Sequence, residues 1–414
     1  MRFILLSGVA LLSLGSATGV TAEPAEGWLE IDASVPFADR AGNLRTPGCS
    51  GGPVVTETDT GTILVPGDTS YSFFIRHGDP KKLALMFDGG GACWDETTCV
   101  GSPLAGQSLY TQTVDETVEE LDAIGGIGDR SNPENPIAEY TQVFIPYCTA
   151  DLHAGDSSTV YEYLTDSGAP VSWTIHHRGA DNVVAVLEWL QSYYENEIGY
   201  APSDVLVAGA SAGGYGALFN YPAIASRLPA GTRTQVVVDA ANGVMTQSVY
   251  DAALAPSGNW AVWDNLAPEL AGAFSSGPDD LMAEAFKSLG WSYPGTRFGQ
   301  YTTAYDGVQI AFYNITRHPG SPARWLDPIE LAAAAFEWTL RARTAMIVTA
   351  WQVPNYRFYL GAGIDHTIVA GDKFYTENTA KFVRFSDWVR DMIGARWPWF
   401  SKWQNLSCAP ACVQ

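Results

Sequence analysis

The chain has 414 residues, 46% hydrophobic and 12% aromatic, with 45 Asp and Glu against 23 Lys and Arg. A net charge of -22 excludes a nucleic-acid binder that tracks phosphates, since that needs a basic footprint. It also opposes a dense polyanion as substrate unless a local basic patch compensates, and it suits the solvated surface of an exported protein.

Arg2 is followed by the apolar run FILLSGVALLSLG and by small residues ending GVTA. A charged start, an apolar middle and a small-residue end mark residues 1–22 as a signal peptide cleaved near Ala22. The run is short for a bilayer span of about 20 residues. No later stretch matches it without charges, Gly or Pro. The expectation is a soluble, secreted or periplasmic protein with no membrane anchor after cleavage, its residues 23–414 forming one catalytic domain. Six cysteines remain, and an even count in an exported chain reads as disulfides. Proximity pairs Cys93 with Cys99 and Cys408 with Cys412, leaving Cys49 with Cys148. Zinc is the alternative, but no His lies at ligand spacing from these cysteines. No metal or cofactor is expected.

GDTSYSFFIRHGDP and KKLALMFDGGGACW read as strands, the second ending in glycines. TQVFIPYCTADLHAGD is a buried strand followed by a polar loop. From Asp181, NVVAVLEWLQSYYENEI repeats apolar residues at helical spacing. SDVLVAGASAGGYGALF is strand, turn, helix; TQVVVDAANGV is a further strand, and RTAMIVTAW resembles it. Such alternation predicts an α/β fold, a mostly parallel sheet with helices on both faces. Between Met245 and Tyr301 the pattern loosens into Gly, Pro, Trp and Asn, which predicts a lid or insertion over the sheet's C-terminal edge.

Gly209-Ala-Ser211-Ala-Gly213 fits the G-x-S-x-G nucleophile elbow, with a strand before it and a helix after it as the motif requires. Residues two before and two after the serine must be nearly free of side chain for that turn to close. Gly89-Gly90-Gly91, at the end of LALMFD, supplies a candidate oxyanion hole from the Gly90 and Gly91 N–H groups, with the Ala212 N–H as a third donor. The base must be one of six histidines. His77, His153, His176 and His177 precede the serine, and His153, His176 and His177 read as structural or cleft-lining. Nucleophile, acid, histidine is the chain order of α/β-hydrolases, which leaves His318 and His366. His366, in the Gly-rich loop LGAGIDHTIV, is preferred over His318 in the Pro-rich TRHPGSPARW. Candidate acids are Asp239, Asp306, Asp327 and Asp365, and spacing alone does not separate Asp239 from Asp306.

At this point LMFDGGGACWDETTC, VFIPYCTADLHAGD, VLVAGASAGGYGA, AYDGVQI, DHTIV and CAPAC together resemble the pectin acetylesterase/Notum family of α/β-hydrolase-type serine carboxylesterases. The segments run in family order from about Lys81 to Cys412. The resemblance implies Ser211 as nucleophile, Asp306 as acid and His366 as base, with Asp239 in a structural turn. Asp88 stands where the family often has Glu, and the segment from Ala252 to Phe298 matches poorly.

The implied function is a secreted serine carboxylic ester hydrolase that removes acetyl or other short acyl groups from a glycan. Trp94, Trp260 and Trp263 are candidate substrate-binding residues. A hydrolase of polyester or longer-acyl esters is the nearest alternative. A catalytically inactive carbohydrate-binding homologue and a serine peptidase are the others.

Overall fold

Aliphatic residues that alternate between two buried faces build the central layer. The computed structural model describes residues 27–412 except 59–60, 166 and 395–400, so the leader expected at residues 1–22 lies outside the described residues. Among the described residues, nine strands form one sheet: β1 (Leu29–Asp32), β2 (Ser72–Arg76), β3 (Asp79–Phe87), β4 (Tyr140–Ile145), β5 (Asp204–Ala210), β6 (Arg233–Asp239), β7 (Arg297–Thr303), β8 (Tyr356–Gly361) and β9 (Leu406–Ser407). Their spatial order is β1-β2-β4-β3-β5-β6-β7-β8-β9. β1 and β2 are antiparallel at one edge, and every pairing from β4 to β9 is parallel.

In β5, Val205 and Val207 enter one apolar cluster while Leu206 and Ala208 enter the other; in β6, Val236 and Val238 face the first and Val237 the second. Period-two alternation with both faces apolar is what a parallel sheet covered on both sides requires. Each fully buried Val or Leu contributes about 1.5–3 kcal/mol over its exposed state. On the first face lie α1 (Gly179–Tyr193) and α2 (Ala212–Phe219), through residues such as Val186, Leu190, Leu218 and Phe219.

The loosely patterned stretch after β6 is largely helical. Its α3 (Pro268–Ser275) and α4 (Leu281–Ser292) lay Leu270, Phe274, Phe286 and Leu289 into the same face. β7 begins at Arg297, inside the range 245–301 read as an insertion, because FGQYT pairs in parallel register with both β6 and β8.

Two more helices follow β7: α5 (Gly307–Arg317) and α6 (Pro328–Gln352). RTAMIVTAW is not a strand but the C-terminal part of α6. Asp327 caps that helix by accepting the Ile329 and Glu330 N–H groups at 2.9 and 3.1 Å. An alanine run follows, and Ala334, Trp338, Ala342, Met346 and Thr349 keep helical spacing on its buried side. The β-branched residues at its end yield to propagation from that start and to packing. The strand that leads to His366 is β8. On the second face, α7 (Phe385–Ile393) buries Phe385, Trp388, Val389 and Met392.

The three disulfides are Cys49–Cys148, Cys93–Cys99 and Cys408–Cys412. A hairpin of Ser157–Leu164 and Pro170–His177 brings His177 beside the Cys93–Cys99 pair, which linear spacing could not reveal. Both sulfurs are joined to each other. Both imidazole nitrogens are engaged, one with the Tyr161 hydroxyl at 3.0 Å and the other with the Thr149 carbonyl at 3.1 Å.

Candidate active site

Ser211 stands where β5 gives way to α2, with φ +56° and ψ -123°. A non-glycine residue in such a conformation costs about 1–3 kcal/mol and persists only where its surroundings hold it. Here they do. A Cβ on Gly209 would lie 2.0 Å from the Gly213 carbonyl oxygen, and one on Gly213 would lie 2.1 Å from that of Phe87. The two glycines let the turn fold onto itself and onto β3. The Ser211 N–H donates to the Asp239 carbonyl at 2.8 Å, fixing the elbow to the end of β6.

Asp306 follows β7 and caps α5, its Oδ1 accepting the Gln309 N–H at 2.9 Å. It is fully buried, and both of its oxygens lie 2.9 Å from His366 Nδ1. The Gln309 side-chain amide donates to Asp306 Oδ2 at 2.9 Å, while its oxygen accepts the Asn242 N–H at 2.9 Å. Gln309 therefore locks the carboxylate against rotation. Only its place in AYDGVQI hinted at it in the sequence. His366 sits in the loop after β8. A carboxylate on Nδ1 makes that nitrogen the donor and leaves Nε2 as the basic one. Nε2 is buried with no hydrogen-bond partner among the described residues, and His366 and Ser211 line the same cavity.

Among the other candidates, Asp365 pairs with Lys373, Asp327 caps α6, and His318 reaches Glu330 at 3.2 Å. None of these meets the cavity. Asp239, fully buried, does not touch the imidazole. Its carboxylate accepts the backbone N–H groups of Ile368 and Val369 at 2.7 and 2.8 Å, and burial pushes its pKa up to about 7.

The glycine run curls over the elbow, with φ +152° at Gly90 and +75° at Gly91. Among the described residues, no hydrogen bond occupies the N–H of Gly90, Gly91 or Ala212. Of the three, Gly91 and Ala212 line the cavity with Ser211 and Gly90 does not; free donors at a loop and at a helix N-terminus there are the chemical requirement of an oxyanion hole. The loop rests on His153, whose Nε2 lies 2.9 Å from the Asp88 carbonyl and so must donate to it. Burial pushes the His153 pKa down to about 4, which keeps the ring neutral at pH 7. Its own segment is strained: Ala150, Leu152 and His153 have φ of +63°, +60° and +59°. Asp151 holds that turn by accepting from the Thr149 hydroxyl at 2.6 Å and the Gly179 N–H at 2.8 Å.

The cavity beside Ser211 measures about 100 Å3 and is walled mainly by Met245, Val249, Leu254, Phe312 and Trp338. Trp94 and Trp260 also line it, but at 4% and 2% exposure they are wall rather than an open platform. Trp260 is anchored by its indole N–H to the Cys93 carbonyl at 2.9 Å. Trp263, the third of the candidate tryptophans, does not line the cavity. Its indole N–H donates to the Leu254 carbonyl at 2.9 Å, and its ring packs edge-on against Phe274.

Residues 68–250 match the family described as Pectinacetylesterase. The palmitoleoyl-protein carboxylesterase NOTUM of Schmidtea mediterranea is 27% identical over 158 residues, 38% of this chain and 27% of that protein. Its Drosophila melanogaster namesake is 26% identical over 220 residues, 50% of this chain and 31% of that protein. The matched region thus spans between a quarter and a third of the length of these relatives. The solved structure of the Wnt deacylase Notum from Drosophila, crystal form II, superimposes with a TM-score of 0.51 at 18% identity. It covers 79% of this chain and 88% of that chain, a likeness of fold.

Proposed function

Because the chain belongs to the pectin acetylesterase/Notum family, we propose that it is a secreted carboxylic ester hydrolase that works through an acyl-enzyme on Ser211. One observation carries this reading: Asp306 grips His366 Nδ1, Nε2 is buried and unbonded, and His366 lines the same cavity as Ser211.

Ser211 Oγ attacks the ester carbonyl as His366 Nε2 takes its proton. Asp306 holds the required tautomer and stabilises the imidazolium, and the N–H groups of Gly90, Gly91 and Ala212 receive the oxyanion. His366 then returns the proton to the departing alkoxide. Water, deprotonated by the same nitrogen, attacks the acyl carbonyl; the bond to Ser211 Oγ breaks, that oxygen takes the proton back from Nε2, and the acid leaves. No cofactor enters these steps.

The acyl side is an apolar cavity, so the acyl group is a hydrocarbon chain rather than a charged one. An apolar cavity of about 150 Å3 holds a benzene ring, so about 100 Å3 suits a short chain. That size supports an acetyl or slightly longer acyl group over a long fatty acyl chain, and the family resemblance makes a glycan the first choice for the alcohol part. Met245, Val249, Leu254 and Trp260, which follow β6 and line the cavity, support reading the first part of the stretch around 245–301 as a lid-like insertion in a single domain. The apolar lining keeps a second reading, a polyester of short hydroxy acids, in view. Export is supported by three disulfides. Among the described residues, no helix is long and apolar enough to cross a membrane.

The test is turnover of p-nitrophenyl acetate, butyrate and octanoate by the wild type and Ser211→Ala, followed by acetylated xylan, acetylated pectin and a polyester film. Loss of turnover in the variant is expected. Equal rates in the two proteins would overturn the esterase reading and leave the inactive carbohydrate-binding homologue. A peptide substrate cleaved faster than every ester would favour a peptidase.

A further inference from the structure

Asp239 is joined to both halves of the site without touching a reacting atom. Its main-chain carbonyl accepts the Ser211 N–H at 2.8 Å. Its carboxylate Oδ2 accepts the N–H groups of Ile368 and Val369 at 2.7 and 2.8 Å, one and two residues past Thr367. Thr367 follows His366 and has φ +55°, a left-handed conformation that a β-branched side chain resists. The Val369 carbonyl in turn accepts the Ile127 N–H at 2.8 Å, which ties the far end of this turn to the core. Asp239 is fully buried, so water does not compete for either N–H.

We infer that Asp239 is a positioning residue for the base: its carboxylate clamps the strained turn at Thr367 and so aims the His366 imidazole at Ser211. This rests on the reading of Ser211 as nucleophile and His366 as base. Two N–H groups converging on one carboxylate oxygen in a water-free site make strong bonds. Without them Thr367 relaxes toward negative φ, and the ring it follows swings off the line between Asp306 and the serine. One residue then sets the spacing of nucleophile and base, through its carbonyl on one side and its carboxylate on the other. Most of the cavity wall, including Met245, Val249, Leu254, Phe312 and Trp338, comes from other elements, so the loss falls mainly on kcat.

The experiment compares Asp239→Ala, Asp239→Asn and each of them combined with Thr367→Gly, using p-nitrophenyl butyrate, with Asp306→Asn and Ser211→Ala alongside. Asp239→Ala should lower kcat by about 100-fold with KM nearly unchanged, the order expected for a misplaced catalytic group. Asp239→Asn keeps an oxygen for the same two N–H groups and should lose only about three- to tenfold. Thr367→Gly adopts the turn without strain and should restore much of either loss. If Asp239→Ala does not fold, Asp239→Asn with and without Thr367→Gly decides the matter. Wild-type kcat in folded Asp239→Ala, no recovery with Thr367→Gly, or an Asp239→Asn as inactive as Asp306→Asn would overturn the inference. Unchanged turnover in Ser211→Ala would instead overturn the esterase reading itself, so the two failures are distinguishable.

Discussion

Asp306 places both carboxylate oxygens 2.9 Å from Nδ1 of His366, and the Gln309 side chain holds one of those oxygens from behind at 2.9 Å. The carboxylate is therefore oriented before any substrate arrives. Asp306→Asn keeps the shape but presents an amide that stabilises the wrong tautomer, and kcat should fall by about 10⁴. Gln309→Leu leaves the carboxylate in place but free to rotate, and about a tenfold loss is expected. Steady-state kinetics on p-nitrophenyl butyrate checks both. A Gln309→Leu rate as low as that of Asp306→Asn would contradict the division of labour.

The acyl cavity makes a prediction about chain length. Ala253 lines it and is completely buried. Ala253→Phe fills space that an acyl tail would occupy, so butyrate and longer esters should lose at least tenfold in kcat/KM relative to acetate. One methylene in an apolar pocket is worth about 1–3 kcal/mol. Equal losses for acetate and octanoate would mean that the acyl group does not enter this cavity.

His153 gives a prediction about pH and stability. Its pKa is pushed down to about 4 by burial, against an ordinary value near 6.5. As pH falls from about 6.5 to about 4, the unfolded chain takes up the proton and the folded one does not, so this residue's contribution is lost toward acid. The total is about 3 kcal/mol. His153→Gln carries no such proton. Relative to wild type it should gain about that much on going from pH 7 to pH 4, as followed by urea denaturation. A difference that stays constant across that range would mean that His153 titrates normally in the folded protein.

The disulfides should differ in weight. Cys49–Cys148 closes a separation of 99 residues and Cys408–Cys412 one of 4. On loop-closure entropy alone the first is worth about 5 kcal/mol and the second about 2. Replacing each pair by alanines and measuring Tm in calorimetry should therefore show the larger drop for Cys49–Cys148. The opposite order would place the stabilisation in native contacts instead.

The chain's own chemistry determined the sheet and the elbow. Aliphatic runs such as VLVAGA and QVVVD leave a buried parallel strand as the only way to cover both faces, and small residues around Ser211 leave a tight turn as its only geometry. The cysteine pairing followed from proximity for two bridges and from elimination for the third. RTAMIVTAW escaped because its β-branched residues have strand propensity, while the Asp327 cap of α6 lies sixteen residues upstream of Arg343 and the alanine run ends eight residues upstream. The place of His177 beside Cys93 and Cys99 escaped because a hairpin, not a linear spacing, creates it.

The choice between Asp239 and Asp306 shows the boundary most clearly. Asp239 ends β6, Asp306 lies three residues past the end of the neighbouring β7, and each precedes His366 in the chain, so spacing and chain order do not separate them. What separates them is the path of the loop after β8. It brings the His366 ring to Asp306 and its own backbone N–H groups to Asp239. Residue types and their period are local and fix which elements form. The meeting of three loops at the end of a sheet depends on long-range packing, so residue types and spacing left the two acids open, the resemblance pointed to Asp306, and the tertiary structure supplied the physical reason that its carboxylate faces the imidazole.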